Sequence, residues 1–293
     1  MKAFETVHPM VAMFYFVLVL IIAMFTSHPI LYIEALAGAL CFCFMLERKK
    51  TFIKGFAFYI PVFIIIALTN PLFSHNGVTP LFFMNGNPVT LEALLYGVAA
   101  ATMLIAVMYW CKCYSIIMTT DKFLYLFGKA VPKLSLVLSM ALRFIPMFKR
   151  RMKQVRHAQK AMGMYSGKGY FDKLRASMSV FYALIAWSLE NSVETGNSMR
   201  ARGYGLKGRT HFSLFKFTRR DGIFALITAI AFTVLLAGII AGGADFNFYP
   251  KITSIDTGLL AILVYISFGI ITFLPFILEV EENLKWTYLK SKI

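Results

Sequence analysis

Two glycine clusters are the first places where this 293-residue chain could do chemistry. Gly203-Tyr-Gly205-Leu-Lys-Gly208 matches G-x-G-x-x-G letter for letter. A dinucleotide fingerprint needs that turn between a strand and a helix. Here a helical stretch precedes it and a basic loop follows, so the dinucleotide reading fails. The same glycines give Gly203-x4-Gly208-Arg209-Thr210, which lacks the P-loop lysine that reaches the phosphates. Gly163–Gly169 contains Gly167-Lys168 but ends in Gly169 where Ser or Thr must hold magnesium. The chain therefore carries no ATP site of its own, and no cofactor is expected.

Metal and nucleophile chemistry fare no better. The four cysteines stand as Cys41/Cys43 and Cys111/Cys113, each pair inside an apolar run. Residues two apart on a helix point to different faces, so each pair chelates poorly and reads as packed thiols. His8, His28, His75, His157 and His211 are scattered, with no H-E-x-x-H. Glu34 is the one acid well inside an apolar run. Intramembrane acids are functional candidates by default, but a position one turn from a span end suits a structural role.

The elements that hold these residues belong to a membrane. Hydrophobic residues make up 59% of the chain and the mean hydropathy is +0.69. Soluble domains lie near ~45–50% apolar, so the excess is lipid-facing surface. Only 15% of residues are charged, yet the net charge is +16. From Lys149 to Arg220, 16 Lys and Arg face three acids, Asp172, Glu190 and Glu194. A second basic cluster is Arg48, Lys49, Lys50 and Lys54. Charge confined to loops between apolar runs is the positive-inside pattern, not a nucleic-acid footprint.

A span needs roughly 17–25 apolar residues, and about six segments qualify: 8–26, 29–46, 55–72, 91–113, 222–243 and 258–278. The first follows Lys2 without an A-x-A cleavage site and reads as a retained span. Pro61 and Pro275 are expected to kink their helices. Loop charge puts Arg48–Lys54 and 149–220 on the cytoplasmic side of a cytoplasmic membrane, 71–90 and 244–257 outside, and both termini inside. The expected fold class is an all-α integral membrane protein. Its expected parts are N-terminal membrane helices (1–118), a cytoplasmic or interfacial region (119–221) and C-terminal membrane helices with a tail (222–293).

Two long helices are predicted in 119–221. Val131–Leu142 and Ala176–Leu189 are apolar but too short to span, and read as buried or re-entrant. Over Pro146–Gly163, Phe148, Met152, Val155 and Met162 share one face, while Lys149, Lys153, Arg156 and Lys160 follow 4-3-4 spacing on another. That is an amphipathic basic helix at the membrane surface. The second helix runs Asp172–Arg202, with Asp172 as N-cap and Gly203 as its stop. Its first two-thirds, with Phe181, Tyr182, Ile185 and Trp187, are apolar all round and so expected to be buried.

Ala201-Arg202-Gly203, inside Met199-Arg-Ala-Arg-Gly-Tyr204, brings a resemblance into view. Ala158-Gln159-Lys160 leads into a degenerate copy, Ala161-Met162-Gly163. His8-Pro9, Asn70-Pro71-Leu72-Phe73, Thr90, Thr119-Thr120, Pro132 and Leu142-Arg143-Phe144-Ile145-Pro146 match in order. The chain resembles the CbiQ-like family, the transmembrane T components of energy-coupling factor (ECF) transporters. The resemblance implies a non-catalytic scaffold of a four-part importer for a vitamin or metal ion. It implies two cytosolic ABC ATPases and a membrane-embedded substrate-binding S component as partners, within the lipid bilayer and without nucleic acid. It assigns ATPase coupling to Ala201, Arg202 and Gly203, with Ala161, Met162 and Gly163 as a weakened first motif. Lys153, Arg156 and Lys160 would give that motif a supporting basic face. An arginine at a helix tip between small residues can enter a groove and pair bidentately with carboxylates.

Two other classes compete. A conventional ABC permease would need more polar intramembrane residues than Glu34 and its few companions. A membrane enzyme or assembly factor would need a polar cluster at membrane depth. The topology has a direct check. With background cysteines replaced, Cys at Lys50 or Lys168 should be shielded from an impermeant thiol reagent in intact cells, and Cys at Asn85 should react. Labelling of Lys168 from outside would reverse the orientation.

Overall fold

The computed structural model describes residues 3–47, 49–74, 77–84, 87–163, 169–206 and 215–290. Arg48, His75, Asn85, Gly167, Lys168, Gly208, Arg209, Thr210 and His211 lie outside the described residues. The chain divides into two compact units, one formed by Met1–Phe123 with Phe215–Ile293 and the other by Leu124–Leu214.

The first unit is a helical membrane bundle. A 3-10 turn (Ala3–Thr6) precedes α1 (Pro9–Phe25), α2 (Pro29–Leu46), α3 (Lys49–Phe73) and α4 (Leu91–Ile117). After the second unit come α8 (Arg219–Ile240) and α9 (Leu259–Lys290). Five of these helices are long and apolar enough to cross a membrane, and α1 is apolar with 17 residues. At 1.5 Å per residue α1 is about 26 Å long, near the lower limit for a span. The chain is thus an all-α, multi-pass membrane protein, apart from one hairpin.

Local sequence sets the helix starts. His8 and His28 each precede a proline, and each imidazole Nδ1 accepts a hydrogen bond from the backbone N–H two residues on, at 3.3 Å. Proline at the first helical position gives up an N–H that has no helical partner. Thr90 caps α4 by accepting from Ala93 N. At α8, Thr218 and Asp221 form a reciprocal capping box.

Several expectations shift. The loop 71–90 is partly structured: α3 runs through Asn70-Pro71 to Phe73, and β1 (Pro80–Met84) pairs antiparallel with β2 (Asn87–Thr90). The amide of Asn70 donates to Ala93 O at 2.8 Å and to the Tyr249 hydroxyl at 3.3 Å. It thereby holds the end of α3 against the start of α4. The tail after 278 is helix, since α9 continues to Lys290. Its 32 residues make a rod of about 48 Å, longer than the ~30 Å hydrocarbon core, so its charged end stands outside the apolar layer. Helices α3 and α9 run through Pro61, Pro71 and Pro275 without interruption.

Within this bundle α4 lies against α1, α2 and α3, and α9 lies against α2 and α8. Trp110 on α4 is fully buried and donates to Ala35 O on α2 at 3.1 Å. Tyr15 on α1 donates to Ile271 O on α9 at 2.9 Å. Phe4 packs edge-on against Tyr15, Phe16, Phe42 and Phe224, and its N–H donates to Glu279. The thiols are split: Cys43 and Cys113 are buried side by side, whereas Cys111 is exposed.

Close approach holds the helix pairs. A Cβ on Gly97 of α4 would collide with the backbone carbonyl oxygen of Ala67 on α3. One on Gly38 of α2 would lie 2.8 Å from Thr272 Cβ on α9. Gly97→Ala should therefore lower the melting temperature in detergent by ~5 °C, the effect of overpacking a backbone contact. Gly196→Ala, which adds a methyl where nothing lies within 4 Å, should raise it by ~2 °C by removing helix-interior glycine entropy. Equal shifts of the same sign would contradict the packing assigned to Gly97.

Candidate functional site

The second unit contains most of α5 (Thr120–Ala130), all of α6 (Pro132–Ala161) and all of α7 (Tyr170–Ala201). The two predicted segments Val131–Leu142 and Pro146–Gly163 are one continuous helix, α6, with Pro146 inside it. The N-cap of α7 is Gly169, not Asp172. Asp172 instead sits in the first turn, where its charge complements the helix dipole.

Helices α6 and α7 pack as an antiparallel pair along a narrow seam. Phe148 meets the Trp187 ring edge-on at 5.5 Å, and the Arg151 guanidinium lies 5.8 Å from the same ring. Nearer the α6 tip, the Gln159 amide donates to Ser179 Oγ at 3.0 Å. On α7 the buried positions are Ala176, Val180 and Leu184, one stripe at four-residue spacing. The expectation of an α7 buried all round is overturned: Phe181 is 55% and Tyr182 68% exposed, and Ile185 and Leu189 are exposed too. Leu134 and Val137 on α6 are likewise exposed, against the expected buried run. Along this seam each long helix covers one stripe of the other, and α5 adds a contact at the start of α6, where Ser135 Oγ donates to Leu124 O at 3.1 Å. The remaining apolar surface faces outward.

Both Ala-x-Gly segments end their helices in the same way. On α7, Ala201 is the last helical residue, Arg202 is the C-cap and Gly203 has φ +78°. Gly203 N–H donates to Arg200 O and Tyr204 N–H to Met199 O, both at 3.0 Å. This pair of bonds is a Schellman cap. On α6, Ala161 is last, Met162 is the C-cap and Gly163 has φ +76°, with its N–H on Lys160 O at 3.1 Å. The C-cap backbones of Met162 (φ −79°, ψ 3°) and Arg202 (φ −83°, ψ 8°) nearly coincide. Glycine is required because an L side chain in the left-handed region clashes with its own backbone. The residue before it is held at the rim of the last turn. Met162 is 69% exposed, and Arg202 is exposed with no ion pair among the described residues.

The two tips are not brought together. Helix α7 starts at Tyr170, just past Gly163, and its 32 residues carry the chain about 48 Å to Arg202. Lys153, Arg156 and Lys160 are all exposed on α6 and lead to Met162 as one basic stripe. The arrangement offers two equivalent, separated contact points, one charged and one apolar with a charged flank.

A profile described as "CbiQ: Cobalt transport protein" matches residues 2–212. The chain belongs to the CbiQ family. That is the family of ECF transmembrane components to which the sequence motifs pointed. Among curated relatives, Energy-coupling factor transporter transmembrane protein EcfT 1 of Listeria monocytogenes is 27% identical over 207 residues, covering 66% of this chain and 75% of that protein. The EcfT protein of Listeria innocua is 29% identical over 221 residues, covering 67% of this chain and 80% of its own. That of Lactococcus lactis is 33% identical over 108 residues, covering 36% of this chain and 40% of its own.

Sequence reasoning missed the Gln159–Ser179 bond, although the Ala-Gln dipeptide was in view. Its only signal is a polar residue next to the seam on each helix. Gln159 is buried, and a bond of this kind contributes ~1 kcal/mol. In this CbiQ-family chain, Gln159→Ala should raise amide exchange over residues 152–162 about fivefold by hydrogen–deuterium mass spectrometry. Ser179→Ala should do the same, and the double variant little more. Unchanged exchange would show that the bond does not hold the α6 tip.

Proposed function

We propose that this chain is the coupling scaffold of an ECF-type importer, with residues 119–221 as its coupling region. Two cytosolic ABC ATPases dock on the tips of α6 and α7, one at Met162–Gly163 and one at Arg202–Gly203. A membrane-embedded S component binds the micronutrient, and this chain hydrolyses no ATP itself. Both termini and both tips face the cytoplasm. The single observation that carries the reading is the repeated Ala-x-Gly cap at two well-separated, exposed helix ends. Rigid helices joined by a small seam can follow ATPases that open and close, and the outward apolar surface of α7 near Phe181–Leu189 passes the movement to the S component. A carboxylate partner suits Arg202, whose planar fork also lies at the negative end of the α7 dipole.

The test compares the two tips. Arg202→Glu replaces an attraction by a repulsion, beyond the ~1.5–3 kcal/mol lost with one charge-assisted hydrogen bond. It should abolish co-purification of the ATPases and substrate uptake while leaving the membrane bundle folded. Met162→Ala should be milder, because Arg156 and Lys160 still face the partner. Complex yield and uptake are measured at matched expression. Greater damage from Met162→Ala would remove Arg202 from its dominant place.

A further inference from the structure

A cavity lies in the membrane bundle. It has a volume of about 590 Å³ and is formed by the start of α8, the second half of α9 and the segment at Thr6-Val7. That size falls within the ~300–1,000 Å³ of small-molecule sites. Its floor is apolar, with Ile223 and Ile227 from α8 and Leu274 and Leu278 from α9. Its rim is charged. Arg219 and Arg220 come from α8, and Glu281, Glu282 and Lys285 from α9.

The division between floor and rim follows the membrane boundary. The apolar stretch of α8 begins at Ile223, one turn after Arg219. The apolar stretch of α9 ends at Leu278, one turn before Glu282. Both helices therefore leave the hydrocarbon layer at the mouth of the cavity, which opens where lipid headgroups lie.

The rim charges are unevenly satisfied. Arg220 pairs with Glu282 at 3.1 Å, and Lys285 pairs with Glu281. Asp221 also borders the cavity, but its carboxylate accepts from His8 N–H at 3.1 Å and from the N–H and hydroxyl of Thr218 at 2.9 and 2.8 Å. Arg219 is exposed and has no carboxylate partner among the described residues. The group left over is a cation, beside an apolar trough that runs into the bilayer.

We infer that this cavity holds one anionic glycerophospholipid, with its phosphodiester on Arg219 and the first part of an acyl chain on the α8–α9 floor. The bound molecule needs a negative headgroup to match the unpaired guanidinium and a hydrocarbon tail to cover Ile223 and Ile227. A free phosphate supplies the first without the second, and a phosphatidylcholine brings a cation that opposes Arg219. Anionic headgroups gather at basic juxtamembrane surfaces for the same reason.

The purified 293-residue chain, in micelles with equal amounts of dioleoyl phosphatidylglycerol, phosphatidylethanolamine and phosphatidylcholine, is analysed by native mass spectrometry. One phosphatidylglycerol should be retained in preference to the other two. Arg219→Gln should lower its retention about tenfold, the loss of one charge-assisted contact, while Arg219→Lys keeps most of it. Lys216→Gln removes the same charge outside the cavity and should change nothing. Because Arg219 supports no other described residue, gel filtration and melting temperature should be unaltered in every variant. Equal retention of the three lipids, an equal effect of Lys216→Gln, or displacement of the lipid by excess inorganic phosphate would each overturn the assignment.

Discussion

Lipid gives helices no hydrophobic reason to associate, so this bundle stands on how closely its backbones approach. Gly97 lets α4 rest on the Ala67 carbonyl, Gly38 lets α2 rest on Thr272, and Gly238 on α8 leaves no room for a Cβ beside Val264 of α9. Small residues at such crossings allow dispersion contacts over a long line, the main attraction available at membrane depth. The hydrogen bonds of Trp110 and Tyr15 to backbone carbonyls add direction to those contacts. They also satisfy two polar groups that would otherwise be stranded in hydrocarbon.

The second unit obeys a different rule. Its two long helices share only a stripe, so their mutual packing relies on the Trp187 contacts and the Gln159–Ser179 bond. Large exposed apolar patches on a protein mark surfaces that meet something else. Here that surface includes Phe181, Tyr182 and Leu189. A pair of stiff rods with a thin seam can change crossing angle with few contacts broken, which a four-sided bundle cannot.

Much of this was legible from the residues. Apolar length found the membrane helices, because a bilayer imposes a length on any chain that crosses it. Glycine spacing found both helix ends, because only glycine takes the left-handed turn without strain. Burial in the second unit was not legible. Periodicity says how apolar each face of α7 is, but not whether protein, lipid or a partner covers it. The hairpin and the role of Asn70 were hidden for a related reason: an Asn-Pro pair signals a turn locally, and a contact 23 residues away at Ala93 overrides it. The cavity was invisible too, since its α8 and α9 walls lie about 60 residues apart in sequence, its Thr6-Val7 wall is farther still, and they meet only through folding.

The unlike residues in two like caps have a consequence for symmetry. If Met162 and Arg202 were the same residue, the pair of tips would present two interchangeable sockets, and a two-lobed partner could dock either way round. One tip carries a guanidinium and the other a thioether on nearly superimposable backbones. In the proposed coupling role, the glycine sets where each contact is made, and the preceding side chain works as a key that tells left from right.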